Sequence, residues 1–196
     1  MLASFLIAFL ITAISMPRTS GYRPAKENVR MQMAHSIDLC MFQYSIDHDG
    51  KYPEGKSSTE IFQLLIDQQY ITDPGLFYFS MPGKTKATTN KLKPENVCFD
   101  VTNAVLSDDP DALPIVFSTG YKIDYIQGGK AHFLPNGDPN GIAVCFKGNN
   151  AAFLRTPIEG TEGIPLFPPA YVHNAVPDFD PKDRAYRQLT PDGPLP

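Results

Sequence analysis

The sequence has no tryptophan and only three cysteines, Cys40, Cys98 and Cys145. An odd, small number of thiols cannot build a disulfide framework. The absence of any Cys-x-x-Cys pair excludes a zinc ribbon or a thioredoxin-type site. Positive charge is also in short supply. Seventeen basic residues against 21 acidic ones leave a formal charge of −4, which excludes the electrostatic footprint of a nucleic-acid binder and a polybasic lipid-binding surface. Gly-x-Ser-x-Gly, His-x-x-x-His and P-loop patterns are all missing, so the sequence shows no catalytic constellation and reads as a non-enzyme. Proline, by contrast, is abundant. Nineteen in 196 residues exclude an all-helical bundle. An apolar share of 42% supplies a packed core and excludes wholesale disorder.

The chain opens on MLASFLIAFLITAISM, sixteen residues without a charge, ended by Pro17 and Arg18. As a helix these residues reach about 24 Å, against roughly 30 Å of bilayer hydrocarbon. Three readings are open: a membrane anchor, the apolar region of a signal peptide with no basic residue ahead of it, and a buried core helix. The first two place the remainder outside the cytoplasm. For the anchor, Leu6, Ile7, Phe9, Leu10 and Ile14 carry the membrane and assembly contacts.

Residues 17–24 are a break. From 25 to 47 no proline or glycine interrupts, and the spacing predicts a helix. At about 100° per residue, Val29, Met33, Ile37, Cys40 and Tyr44 form one apolar stripe. Met31, His35, Leu39, Phe42 and Ile46 form a second on a different side. Such a helix packs on its own domain with one face and on a partner with the other, or buries both within one domain. Asp47-His48-Asp49-Gly50 ends it, with Gly50 suited to a left-handed cap. A second helix starts at Ser57 or Ser58, with Ser57 and Glu60 as a capping box, and ends near Tyr70. Strands are predicted at 76–79, 97–101, 115–118 and 121–126, and a hairpin at 142–147 and 151–155 turns through Gly148, Asn149 and Asn150. The last 41 residues hold nine of the prolines and read as an extended tail, lying on the domain or mobile.

Two acidic clusters invite a metal reading. In 47–50 an EF-hand frame puts Lys56 where the closing glutamate belongs, so this is a capped helix end instead. Asp108, Asp109 and Asp111 sit in a proline-stiffened loop. They are an exposed acidic turn or a set of ligands for a calcium ion. No cofactor is required by any other feature. The histidines, His35, His48, His132 and His173, are scattered. The cysteines read as buried small apolar groups, with one disulfide among them open in an oxidising compartment.

The order of these pieces resembles the pilin-like proteins and the G-type pseudopilins of type II secretion, in their divergent Asp-x-Asp-Gly-x-Tyr-Pro subgroup. The carriers are the apolar stem at 6–14 running to Pro17, RPAKENVR at 23–30, DHDGKYP at 47–53, and the hairpin between 142 and 154. The resemblance implies an α+β fold: a stem helix and an amphipathic helix on a small antiparallel sheet, with a Pro-rich C-terminal tail. Its parts would be an anchor at 1–17, a domain at 18–155 and a tail at 156–196. It further implies a basic leader and Gly-Phe-Thr-Leu-Ile-Glu ahead of Met1, both absent here, and an inner-membrane location with the domain periplasmic or extracellular. The expected function is structural. Apolar helices associate with other pilin-like subunits, in homo- or hetero-assembly, with the membrane contacted through 1–16 and no nucleic acid involved. The alternatives are a stand-alone secreted or membrane-tethered binding module and an extracytoplasmic hydrolase.

Overall fold

The structure, a computed structural model, describes residues 22–126, 128–135, 137–156, 163–166 and 185–195. The apolar run, with Leu6, Ile7, Phe9, Leu10 and Ile14, lies outside them. Among the described residues no helix is long and apolar enough to cross a membrane. The described chain is α+β. Helices α1 (Tyr22–Asp47) and α2 (Ser58–Asp67) accompany strands β1 (Phe99–Asn103), β2 (Pro114–Ser118), β3 (Tyr121–Ile123), β4 (Lys130–Phe133), β5 (Gly141–Phe146), β6 (Asn150–Arg155), β7 (Ile164–Pro165), β8 (Arg187–Thr190) and β9 (Gly193–Pro194). The main sheet runs β6-β5-β2-β1-β8-β9, every neighbouring pair antiparallel, and β3-β4-β7 form a smaller sheet.

Helix α1 begins three residues before the predicted start. Pro24 falls in its first turn, where a missing N–H breaks no helical bond. Its end is as expected: the Gly50 N–H turns back to Ser45 O at 2.8 Å with φ +81°. The orientation differs from the expectation. The residues buried are Glu27, Ala34, Ile37, Asp38, Met41 and Ser45, a stripe about a quarter-turn away from Val29-Met33-Ile37-Cys40-Tyr44. Val29 is exposed, and Met33, Cys40 and Tyr44 sit half-buried on the flank.

The reason lies in what faces α1. It packs across β2, β5 and β6, and small or polar side chains there find partners. Arg155 Nη2 donates to Glu27 Oε2 at 2.7 Å. Arg30 pairs with Asp138 and lies over the Phe79 ring, 4.4 Å from its centroid. The Cys145 thiol donates to Asp38 Oδ2 at 3.4 Å. Buried charge is tolerated where it is paired and hydrogen-bonded, so the face with such partners turns inward.

Ser57 caps α2 by accepting the Glu60 N–H at 3.1 Å, while the Glu60 carboxylate turns back to the Lys56 N–H. The helix buries Ile61, Phe62, Leu65 and Ile66. The strand expected at 76–79 is not formed. Asp73 caps Gly75 N–H at 2.8 Å and Pro74 opens a 3-10 turn (Pro74–Phe77), which stacks Phe77 on Phe62 at 4.5 Å. A second core cluster, with Phe117, Tyr121, Ile142, Val144, Leu154 and Ile164, joins the main sheet to the small one. The hairpin of β5 and β6 pairs Ile142 with Leu154 through to Phe146 with Asn150, and Asn149 takes φ 61° in the turn. The far end of the tail lies on the domain in a specific way: β8 pairs with β1 and β9 folds back on β8.

Asp38 is 2% exposed with Oδ1 unpartnered. Burial pushes its carboxyl from 3.8 up to about 7, against smaller opposing effects of the Cys145 thiol and Lys147. The folded chain therefore holds a proton that the unfolded chain has released, so stability falls as pH rises between about 4 and 7. Urea unfolding at pH 5 and pH 8 measures this. Asp38→Asn should lose part of the drop seen in the parent chain, and an undiminished drop would refute the assignment.

Candidate functional site

Apart from Val29, the large apolar residues that α1 leaves exposed lie on one face. Leu39 is 42% exposed, Phe42 47% and Ile46 57%, with Met31 and His35 half-buried on the same side. These are the residues of the second predicted stripe, and nothing in the described chain covers them. Their spacing of three and four puts them on one side of the helix. An uncovered row of large apolar groups on a rigid helix is an association surface more readily than a site for chemistry.

The flank between this face and the sheet holds a shallow groove of ≈ 480 Å³, lined among others by Met33, Cys40, Tyr70, Leu76 and Tyr78. At its end, His48 stacks flat on Tyr44, with ring centroids 3.7 Å apart, and its Nδ1 lies 2.8 Å from Tyr44 O. A carbonyl only accepts, so Nδ1 carries the proton. The Tyr70 hydroxyl donates to Asp47 Oδ2 at 2.8 Å, which raises the phenol's pKa. These contacts fasten the end of α1 to the segment after α2.

The two acidic clusters, far apart in sequence, meet here. Ser107 N–H donates to Gly50 O at 2.9 Å, Tyr52 N–H donates to Val105 O at 3.2 Å, and Lys51 bridges to Leu106. The carboxylates themselves diverge. Asp109 accepts from Leu106 N–H through Oδ2 at 2.8 Å and from the Tyr186 hydroxyl through Oδ1 at 2.9 Å. Asp111 Oδ1 lies 3.3 Å from Lys147 Nζ. Asp108 is exposed. Among the described residues no group of three or more His, Cys, Asp or Glu side chains is placed to hold a metal ion, so calcium at Asp108, Asp109 and Asp111 gains no coordinating cage from this geometry.

The described histidines lie in three separate places. His132 Nε2 is 2.6 Å from Asp124 Oδ2 on the small sheet, away from the groove, and His173 is outside the described residues. All three cysteines are free. Burial raises the pKa of each thiol, which keeps them protonated and unreactive at neutral pH. Of the polar residues that hold the fold together, Glu27 and Arg30 fall within the RPAKENVR segment, whereas Asp138 and Gln188 belong to no recognisable motif.

No protein-family model, curated protein or solved structure matches the chain.

Gly50 is where the acidic turn has least freedom. Its φ is +81°, and a Cβ there would stand 2.6 Å from Ser107 Oγ. Gly50→Ala should cost on the order of 1–3 kcal/mol in chemical denaturation. Adding Ser107→Ala should restore only the steric share. A loss below about 0.5 kcal/mol, typical of an ordinary surface change, would show that the turn does not need glycine.

Proposed function

We propose that the chain is a structural subunit of a pilin-like or pseudopilin assembly, held at a membrane by residues 1–16 and associating with like subunits through α1. The observation that carries this reading is the uncovered Leu39-Phe42-Ile46 face on the helix into which the apolar N-terminal run leads. In lipid, apolar helices associate through close packing. In water, covering the exposed face of α1 removes three large apolar side chains from solvent, each worth about 1.5–3 kcal/mol when fully buried. The occupant of that face is α1 of another subunit. The amphipathic helix on an antiparallel sheet supports the reading, as does the order of stem, helix, DHDGKYP turn and hairpin. On this reading the domain faces the periplasm or the exterior and the role is not catalytic. A stand-alone tethered binding module is the second reading, and the groove beside Cys40 favours it, because a groove lined by Tyr70, Tyr78 and Met33 offers a binding surface independent of assembly.

Two substitutions test the proposal. Phe42→Glu places a charge on the exposed face. It should leave unfolding stability within about 0.5 kcal/mol while abolishing cross-linking between subunits in membranes. Undiminished cross-linking would remove α1 as the association surface and favour the module. Phe9→Arg adds about 2.5–3.5 kcal/mol to insertion of the first residues and should release the chain from the membrane fraction. A variant still sedimenting with membranes would end the anchor reading.

A further inference from the structure

Strand β8 meets the rest of the main sheet along one side, at the edge of β1, through the pairs Val101–Leu189, Thr102–Gln188 and Asn103–Arg187; among the described residues its other side pairs with β9 alone. Gln188, 5% exposed, makes the decisive contacts. Its Nε2 donates to Asp100 Oδ2 at 2.7 Å and to Tyr121 O at 2.6 Å, and its Oε1 accepts the Ile123 N–H at 3.0 Å. One side-chain amide therefore ties the C-terminal strand to β1 in the main sheet and to β3 in the small one. Two lighter contacts flank it: Tyr186 hydroxyl to Asp109, and Thr59 hydroxyl to Pro191 O at 2.9 Å.

Asp100 lies beneath this amide, 1% exposed, and its Oδ1 has no hydrogen-bond partner. The groups around it come from every neighbouring element. Gln188 of β8 and Thr119, after β2, favour the charged carboxylate, as does Lys84 from the loop before β1. Asp192, in the turn between β8 and β9, opposes it. Tyr121 of β3 is hydrogen-bonded elsewhere through its hydroxyl. Tyr125 bonds Thr102 at 2.8 Å, and Phe117 is the apolar neighbour across β2. Desolvation outweighs the favourable groups and raises the carboxyl from 3.8 to about 7. The seated strand is what completes that enclosure.

We propose that the C-terminal hairpin β8–β9 is a latch on the β1 edge whose seating is coupled to a proton on Asp100. With the carboxyl neutral the latch is closed. As the carboxyl ionises, the enclosed charge favours lifting the hairpin, which lets water reach Asp100. The closed form holds the proton more tightly than the open form, so closure is strongest at acid pH and weakens as pH rises from about 4 to about 7. Opening is local because, among the described residues, β8 joins the body of the main sheet at the β1 edge alone, whereas β2 and β5 are central to it. This inference is independent of the assembly proposal.

Hydrogen exchange on the full chain between pH 5 and pH 8, corrected for intrinsic exchange rates, tests it. Protection of the β8 amides relative to those of β2 and β5 should fall on the order of tenfold to a hundredfold over that range, the size expected when one carboxyl changes its proton affinity by about three powers of ten. Asp100→Asn preserves an acceptor for Gln188 and should make the ratio independent of pH. Gln188→Ala supplies a second test: its β8 amides should already be unprotected at pH 5 while β2 and β5 keep their protection. A ratio constant with pH in the parent chain, an unchanged pH response in Asp100→Asn, a loss shared equally by β2 and β5, or β8 protection kept in Gln188→Ala would each overturn the latch.

Discussion

Helix α1 rests on its less apolar side, and much else follows from that. Glu27, Asp38 and Ser45 are all buried at the contact. Such groups are costly in an interior unless they find partners, and removing one member of a buried pair costs more than the pair contributes. Here the partners come from the sheet and its loops: Arg155 for Glu27 and Cys145 for Asp38. Arg30, three residues after Glu27, is held by Asp138 and the Phe79 ring. The register of the helix is thereby specified by chemistry as well as by shape. Sliding or rotating α1 would strand charges inside the molecule. The outward face then has to carry Leu39, Phe42 and Ile46, because a helix cannot bury both sides against one sheet.

That arrangement explains which parts of the fold could be read in advance. The existence and end of α1 follow from local facts, an uninterrupted run closed by Gly50. Its rotation does not, because periodicity weighs apolar residues and ignores partners. Arg30 meets Asp138 across 108 residues, and Glu27 meets Arg155 across 128, separations at which no local pattern operates. The segment at 76–79 is apolar enough for a strand, but Asp73 and Pro74 impose a capped 3-10 turn that overrides the pattern. The hairpin of β5 and β6 was legible because its turn residues and alternation agree. Strand β8 was hidden inside a proline-rich, polar stretch, since Gln188 at the centre of a buried network looks like any surface glutamine.

The acidic residues teach a related point about the candidate site. In sequence the cluster at 47–50 reads as a capped helix end, and Asp108, Asp109 and Asp111 as an exposed acidic turn or a calcium site. In the fold, the turn at 47–50 and the loop at 106–111 are joined backbone to backbone, and Asp109 spends both oxygens on the Leu106 N–H and the Tyr186 hydroxyl. A short carboxylate on a tight turn is well placed to accept from nearby backbone N–H groups. The exposed stripe on α1, in contrast, was visible as a stripe. What the sequence left open was whether it would be covered from within; among the described residues it is not, because polar pairing holds another side of α1 to the sheet.

The two deeply buried carboxylates share one electrostatic cost but sit under elements of different tenacity. Asp38 lies beneath α1, which crosses β2, β5 and β6. Relieving its charge requires the helix to leave most of its support, so the cost is spread over the whole cooperative unit. Asp100 lies beneath a terminal strand with one neighbouring edge in the body. There, relief requires the separation of β8 from β1 together with the Gln188, Tyr186 and Pro191 contacts that seat the hairpin. The difference arises from topology and not from the acids, whose carboxyls are raised to the same level of about 7 by the same cause. A buried ionisable group acts as a local device only where the element that buries it can leave by itself, and in this molecule the C-terminal hairpin satisfies that condition while α1 does not.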